Sequence, residues 1–336
     1  MTSRSTTRRP VPRVGLVLGA GGIVGQAYHA GVLAALEVDL GWDARTADVI
    51  VGTSAGSVMG TALRMGLSAT DLAAWAVGAE PSGEGSALVE AFAAEPAAIP
   101  PFDLSDLLRG WRLPAGALLW RVVRRPWAIR PTAVASTLLP AGSFDVASHA
   151  ARLDGFLGYG WPDGLRICAA RRLDGRRTVF GRPGAPEVPL STAVAASCAI
   201  PGYFSPVRIG RHEYLDGGVH SSTNADILRS EDVDLAIVVA PMSSAHGRTT
   251  SADLAVRWAT HRRLEREVRR LRAEGVEVVR FEPAAASRRV MGLNAMAEDR
   301  SPVVVREAFF EAGRRLEVSH VAARLARLGS RRRAAA

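Results

Sequence analysis

The chain has 336 residues, 48% of them hydrophobic and 22% charged, enough apolar content for a large core and too much for global disorder. Its net charge is +9, and all 42 basic residues are arginine, a balance that favours anionic surfaces. No basic run carries the aromatic platforms or motif spacing of a nucleic-acid module, so no nucleic-acid partner is expected. Two cysteines, Cys168 and Cys198, form neither a metal spacing nor a disulfide framework and read as buried thiols of a reducing compartment. No apolar run approaches the roughly 20 residues that span a bilayer. The expectation is a cytoplasmic protein, soluble or peripheral at a membrane, with no metal and no cofactor.

Arg8, Arg9 and Arg13 precede an apolar stretch at 14–24 and imitate a signal peptide. Gly15, Gly19, Gly21 and Gly22 interrupt that stretch, so residues 1–12 read as a disordered leader. Residues 14–18 form a β-rich run ending in a glycine cluster, and 26–36 follows as a helix. Residues 48–51 are a second buried strand, stopped by Gly52, with a helix at 57–65. Two strand–turn–helix units in succession mark an α/β sheet with crossover helices. From 81 to 162 Gly and Pro recur around an Arg- and Trp-bearing segment at 111–127, read as an insertion or cap over the sheet whose Trp111, Trp120 and Trp127 suit a lipid boundary or, equally, buried packing of the cap.

Strands resume at 165–170 and 177–180, and 190–197 is a helix closed by Ile200-Pro201-Gly202. Residues 207–215 run to a turn at Asp216, and 235–240 is a further buried strand. The segment 254–273 carries an apolar stripe at 254, 258, 264, 268 and 271, stopped by Gly275. Its seven arginines read as a solvated face paired with Glu265 and Glu267, with docking on anionic lipid as the functional alternative. A last strand at 276–281 and a terminal helix at 303–328 complete the chain. The division expected is a catalytic domain at 13–285 that includes the cap, then a helical segment at 286–336 with a basic tail.

Three motifs carry chemistry. Gly52-Thr53-Ser54-Ala55-Gly56 is G-x-S-x-G placed between a buried strand and a helix, the context a nucleophile elbow requires. The helix behind it aims its N-terminal N–H groups at Ser54. Ala20-Gly21-Gly22-Ile23-Val24-Gly25 opens the first helix, and its tandem glycines leave backbone N–H groups free to converge as an oxyanion hole. The rival use is pyrophosphate binding by a nucleotide-dependent oxidoreductase. That use needs an acid at the end of the second strand, where the elbow sits instead; Asp39 precedes the strand. Leu215-Asp216-Gly217-Gly218 is a turn after a strand, whose glycines tolerate unusual angles and let the carboxylate stand clear. A Ser–His–Asp esterase is formally available through His220, His246 or His261, although His261 lies on the apolar side of its helix and reads as packing.

Glycine-rich loop, G-x-S-x-G and D-G-G, in that order, resemble the patatin-like phospholipases. His29-Ala30-Gly31-Val32-Leu33 and Ala196-Ser197-Cys198-Ala199-Ile200-Pro201-Gly202-Tyr203-Phe204-Ser205-Pro206 match that family as well. The resemblance covers about residues 13–220. It implies a three-layer α/β/α fold with a mainly parallel sheet and metal-free hydrolysis of lipid acyl esters by a Ser–Asp dyad. By position, Ser54 is the nucleophile, Asp216 the base, and Gly21, Gly22 and Ile23 the oxyanion donors, with Ala20, Gly25, Gly52, Gly56, Gly217 and Gly218 in support. The chain departs from the pattern at Ala20, where the first loop glycine is usual, and at Val24, where Arg or Lys is usual. It also carries one extra residue between Gly25 and His29.

Overall fold

A computed structural model describes residues 11–93, 142, 160–245 and 252–328. Among them, eight strands form one sheet: β1 (Val14–Leu18), β2 (Val49–Thr53), β3 (Leu165–Arg171), β4 (Arg177–Phe180), β5 (Val207–Ile209), β6 (His212–Asp216), β7 (Leu235–Val239) and β8 (Glu277–Phe281). The order β3-β2-β1-β7-β8 is parallel throughout, while β4 and β6 join β3 antiparallel and β5 extends β6. β1, β2 and β7 are buried at every residue, which is why they read as unbroken apolar runs rather than alternating ones.

Nine helices flank the sheet among the described residues: α1 (Gly22–Leu40), α2 (Ala55–Arg64), α3 (Ala69–Ala76), α4 (Gly83–Ala93), α5 (Leu190–Cys198), α6 (Ala252–Ala273), α7 (Ala285–Met291), α8 (Ser301–Leu316) and α9 (Ser319–Leu325). Alternate residues of β1 and β7 face opposite cores. Leu16, Leu18, Ile237 and Val239 pack with α1, α2, α5 and α8, whereas Val17, Ala236 and Val238 pack with Leu264, Val268 and Leu271 of α6. From β1 the chain crosses by α1 to β2 on one side, and from β7 it crosses by α6 to β8 on the other. Right-handed crossovers in opposite directions must lie on opposite faces. The result is a three-layer α/β/α sandwich whose strand order reverses beside β1, the place where such sheets bind ligands.

The expected run at 207–215 is two strands, because Gly210 turns the chain at φ 57° into a hairpin. The expected helix at 303–328 is α8 and α9, broken at Glu317 and Val318. α3 begins at Ser68, whose hydroxyl caps Asp71 N–H, in a stretch that composition left unassigned. α4 occupies the start of the expected cap. Residues 94–141 and 143–159 of the cap, including Trp111, Trp120 and Trp127, lie outside the described residues.

α6 presents Arg262, Arg266, Arg269, Arg270 and Arg272 outward as expected, but two members of its charged set turn inward. Arg257 is buried and donates to Pro241 O at 2.7 Å. Glu267 is buried as well and is no surface partner: it accepts from the loop that follows Asp216. Glu265 pairs with Arg280 on β8. No described helix is long and apolar enough to cross a membrane.

α8 lies along α1 at Gly31, where an added Cβ would stand 2.3 Å from Val305 O. Gly→Ala inside an ordinary helix gains about 1 kcal/mol of propensity. Overpacking costs about 1–3 kcal/mol and here meets backbone, which cannot rotate away, so the sign reverses. Gly31→Ala should lower the denaturation midpoint, measured by urea unfolding; a raised or unchanged midpoint would contradict this packing.

Candidate active site

β3 has two edges and three partners. β4 pairs with its residues 167–170 on one edge. β2 and β6 therefore share the other, β2 through the Thr53–Cys168 pair and β6 from the Ala169–Asp216 pair onward. The last residue of β2 and the last residue of β6 thus meet head to head on adjacent positions of β3. Ser54 follows the first and Asp216 is the second.

Ser54 sits at φ 52°, ψ −121°, a conformation that costs a non-glycine residue on the order of 1–3 kcal/mol. Its surroundings hold it there. Ser54 N–H donates to Ser197 Oγ at 2.9 Å, which donates in turn to Cys168 O at 2.7 Å. Ser57 Oγ donates to Ser54 O at 2.7 Å. Gly52 and Gly56 leave room for the turn: a Cβ would stand 2.6 Å from Gly56 O at the first and 1.9 Å from Leu18 O at the second.

Asp216 is buried, its backbone N–H donating to Ala199 O at 2.8 Å. Gly218 N–H donates to its Oδ1 at 2.7 Å, and the Ser54 hydroxyl is close enough to favour the charged form of the carboxylate. Burial pushes the carboxyl up to about 6 although both of these neighbours hold it down. The carboxylate does not stand clear of its chain, and neither Gly217 nor Gly218 takes a positive φ. Gly217 is needed for space instead, since a Cβ there would lie 2.2 Å from Cys168 O.

The glycine-rich loop follows β1. Ala20 N–H donates to Ser222 O at 2.7 Å, Val24 N–H to Ala295 O at 3.0 Å and Gly25 N–H to Gly21 O at 2.9 Å. Between them the N–H groups of Gly21, Gly22 and Ile23, at the open end of α1, have no acceptor among the described residues. Gly22 has φ 63° and would bring a Cβ within 2.5 Å of Ala295 O. Val24 is buried, and Asp39 lies at the other end of α1, far from the end of β2.

His29 is fully buried, with Nε2 2.8 Å from Gly19 O, and burial lowers it to about 4, so a neutral ring braces the loop. His220 Nδ1 lies 3.2 Å from Gly175 O. His261 is not plain packing, since its Nδ1 lies 2.7 Å from Glu282 Oε2. His246 lies outside the described residues, and no described histidine bonds to Ser54 or Asp216. The described residues also contain no cluster of His, Cys, Asp and Glu able to hold a metal ion.

Two neighbours of the site escaped the sequence reading. Cys198 Sγ lies 3.7 Å from Ser57 Oγ and feels Ser54 and the Asp216 charge; burial pushes its thiol up to about 12, so it stays protonated. Its place in the Ala196–Pro206 motif was the available signal. Asn224 donates from Nδ2 to Thr53 Oγ1 at 3.1 Å, beside the elbow, and no local pattern announces it.

No curated protein matches the chain in sequence. Among solved structures it is similar to VipD from Legionella pneumophila, at 13% identity and TM-score 0.40, covering 93% of this chain and 67% of that one. It is also similar to the type III effector ExoU, at 15% identity and TM-score 0.35, covering 91% of this chain and 53% of that one. The ExoU–SpcU complex of Pseudomonas aeruginosa gives 17% identity and TM-score 0.34, with 93% and 53% covered, so this chain spans about half the length of ExoU. The family described as patatin-like phospholipase matches residues 16–229. With most of the chain inside that match, and with elbow, glycine loop and aspartate turn gathered at one end of the sheet, the chain belongs to the patatin-like phospholipase family.

Proposed function

We propose that the chain is a serine hydrolase of lipid acyl esters that works through a Ser54–Asp216 dyad and an acyl-enzyme. The observation that carries this reading is the head-to-head meeting of β2 and β6 on β3, which sets Ser54 beside a buried carboxylate that desolvation raises to about 6. A carboxylate near its ordinary value is a poor base for a hydroxyl. One raised to about 6 is still mostly ionised at neutral pH and binds a proton about a hundredfold more tightly.

In the first half-reaction Asp216 accepts the Ser54 proton as Oγ forms a bond to the ester carbonyl carbon. The carbonyl electron pair moves onto oxygen, which the N–H groups of Gly21, Gly22 and Ile23 receive. Collapse of this intermediate expels the alcohol, which takes the proton from Asp216. Water then gives a proton to Asp216, attacks the acyl carbon and releases the carboxylic acid, and Ser54 regains its proton.

A cleft of ≈ 370 Å³ beside the loop, lined by Ile23, Ala27, Met59, Leu72 and Trp75, supports an apolar acyl substituent. The +9 charge and the exposed Arg262, Arg266, Arg269 and Arg270 of α6, with Trp258 exposed near its first turn, support peripheral contact with anionic lipid.

Ser54→Ala should remove both ester turnover and labelling by a fluorophosphonate, and Asp216→Asn should fall to the same level. Single replacements of His29, His212, His220, His246 and His261 by Gln should each keep measurable kcat; one folded histidine variant as inactive as Ser54→Ala would replace the dyad with a triad. Substituting Gly22 is no test of the oxyanion loop, because its φ and its contact with Ala295 would fail first. A structure of the Ser54 phosphonate adduct tests it directly: the phosphoryl oxygen should lie about 2.7–3.1 Å from at least two of the Gly21, Gly22 and Ile23 nitrogens. An oxygen pointing away from all three would remove the loop from the mechanism.

A further inference from the structure

Glu267 is a carboxylate set among Leu264, Val268 and Leu271 on the inner face of α6. Burial of an acid is costly unless its oxygens are satisfied. Here Ser221 Oγ–H donates to Oε1 at 2.6 Å, while Thr223 Oγ1–H and Ala225 N–H donate to Oε2 at 2.6 and 3.0 Å. Arg263 Nε stands 3.9 Å from Oε1 on the outer side. All three donors come from the stretch 221–225. One carboxylate therefore fixes the shape of that loop, including Asn224 at φ 51°. Asn224 and Ser54 are the described non-glycine residues with positive φ.

The same loop grips each part of the site. Ser222 O accepts Ala20 N–H at 2.7 Å and so seats the glycine-rich loop. Asn224 Nδ2 donates to Thr53 Oγ1 at 3.1 Å and so ties down the residue before Ser54. Ser221 N–H donates to Gly217 O at 3.1 Å, one residue beyond Asp216. Arg177 Nη1 donates to Asn224 Oδ1 at 3.1 Å, which orients the carboxamide so that its NH₂ faces the elbow.

We propose that Glu267 is a positioning residue for this hydrolytic site, an inference that rests on the Ser54–Asp216 reading. It touches neither substrate nor reacting atoms. Through the 221–225 loop it sets the oxyanion loop, the elbow and the aspartate turn in register with one another. A purely structural acid would change the melting temperature and leave turnover of the folded protein alone. A positioning acid changes kcat at temperatures where the protein is fully folded, and leaves KM for a small soluble ester nearly unmoved.

The test uses the full chain and a short nitrophenyl ester, with kcat, KM and melting temperature measured for Ser54→Ala, Glu267→Ala, Glu267→Gln and Asn224→Gly. Glu267→Ala should lower kcat by about 10²-fold, the scale of a misplacement near 1 Å, with KM almost unchanged. Glu267→Gln keeps an acceptor for Thr223 and Ala225 and should recover most of that loss. Asn224→Gly tolerates the backbone angle but deletes the carboxamide, and should lower kcat about tenfold, the worth of one hydrogen bond. Turnover in Ser54→Ala would remove the underlying reading itself. With Ser54→Ala inactive, a folded Glu267→Ala protein with wild-type kcat overturns the positioning role and leaves the dyad standing. If Glu267→Ala does not fold, Asn224→Gly decides, and wild-type kcat there overturns the proposal.

Discussion

The site depends on one edge of β3 being shared by two strands. β2 needs the first half of that edge, in parallel register, and β6 takes the second half, antiparallel. Because the two strands approach from opposite directions, their terminal residues abut, and Ser54 and Asp216, 162 apart in sequence, come side by side. Small residues make the abutment possible. Gly52, Gly56 and Gly217 each stand where a methyl group would overlap a carbonyl or main-chain atom of a neighbouring element. Their role is close approach, since none has a positive φ.

The electrostatics follow from the same geometry. A carboxylate at the head-to-head junction has protein on nearly every side, and desolvation disfavours its charged form. The hydrogen bond from Gly218 N–H and the nearby Ser54 hydroxyl recover part of that cost. The balance leaves Asp216 above its ordinary value, so the folded state binds its proton more tightly than the unfolded state does. Stability from this group is therefore greatest in acid and is lost as pH rises through about 6, the range in which the base becomes competent. The strained Ser54 backbone adds to this cost at the same place. α1, α8 and the two cores flanking the sheet supply the offsetting burial.

The parts of the site that could be read in the sequence are those with a complete local context. The elbow is strand, turn and helix within 20 residues, and Asp216 closes a strand before two glycines. The expected oxyanion donors, Gly21, Gly22 and Ile23, are the loop residues whose N–H groups are left over once Ala20, Val24 and Gly25 have bonded elsewhere. That partition could not be foreseen, because Ser222 and Ala295 lie some 200 residues or more away. Glu267 misled for a related reason. On an arginine-rich helix an acid normally pairs with i±4 neighbours, and only the position of the 221–225 loop makes its inward face polar. Cys198 and Asn224 likewise gain meaning from contacts across more than 140 residues. The hairpin at Gly210 and the break near Glu317 are single-turn events, below what apolar periodicity resolves.

Direct titration of the Asp216 carboxyl by carbon NMR, in the wild type and in Ser54→Ala, reaches the centre of this account. The wild-type group should titrate near 6, about two units above an ordinary aspartate, and loss of the serine hydroxyl should raise it further, because a hydroxyl donor beside the carboxylate favours the charged form. A carboxyl that titrates near 3.8, or one that does not move when the hydroxyl is removed, would contradict a buried Ser54–Asp216 pair.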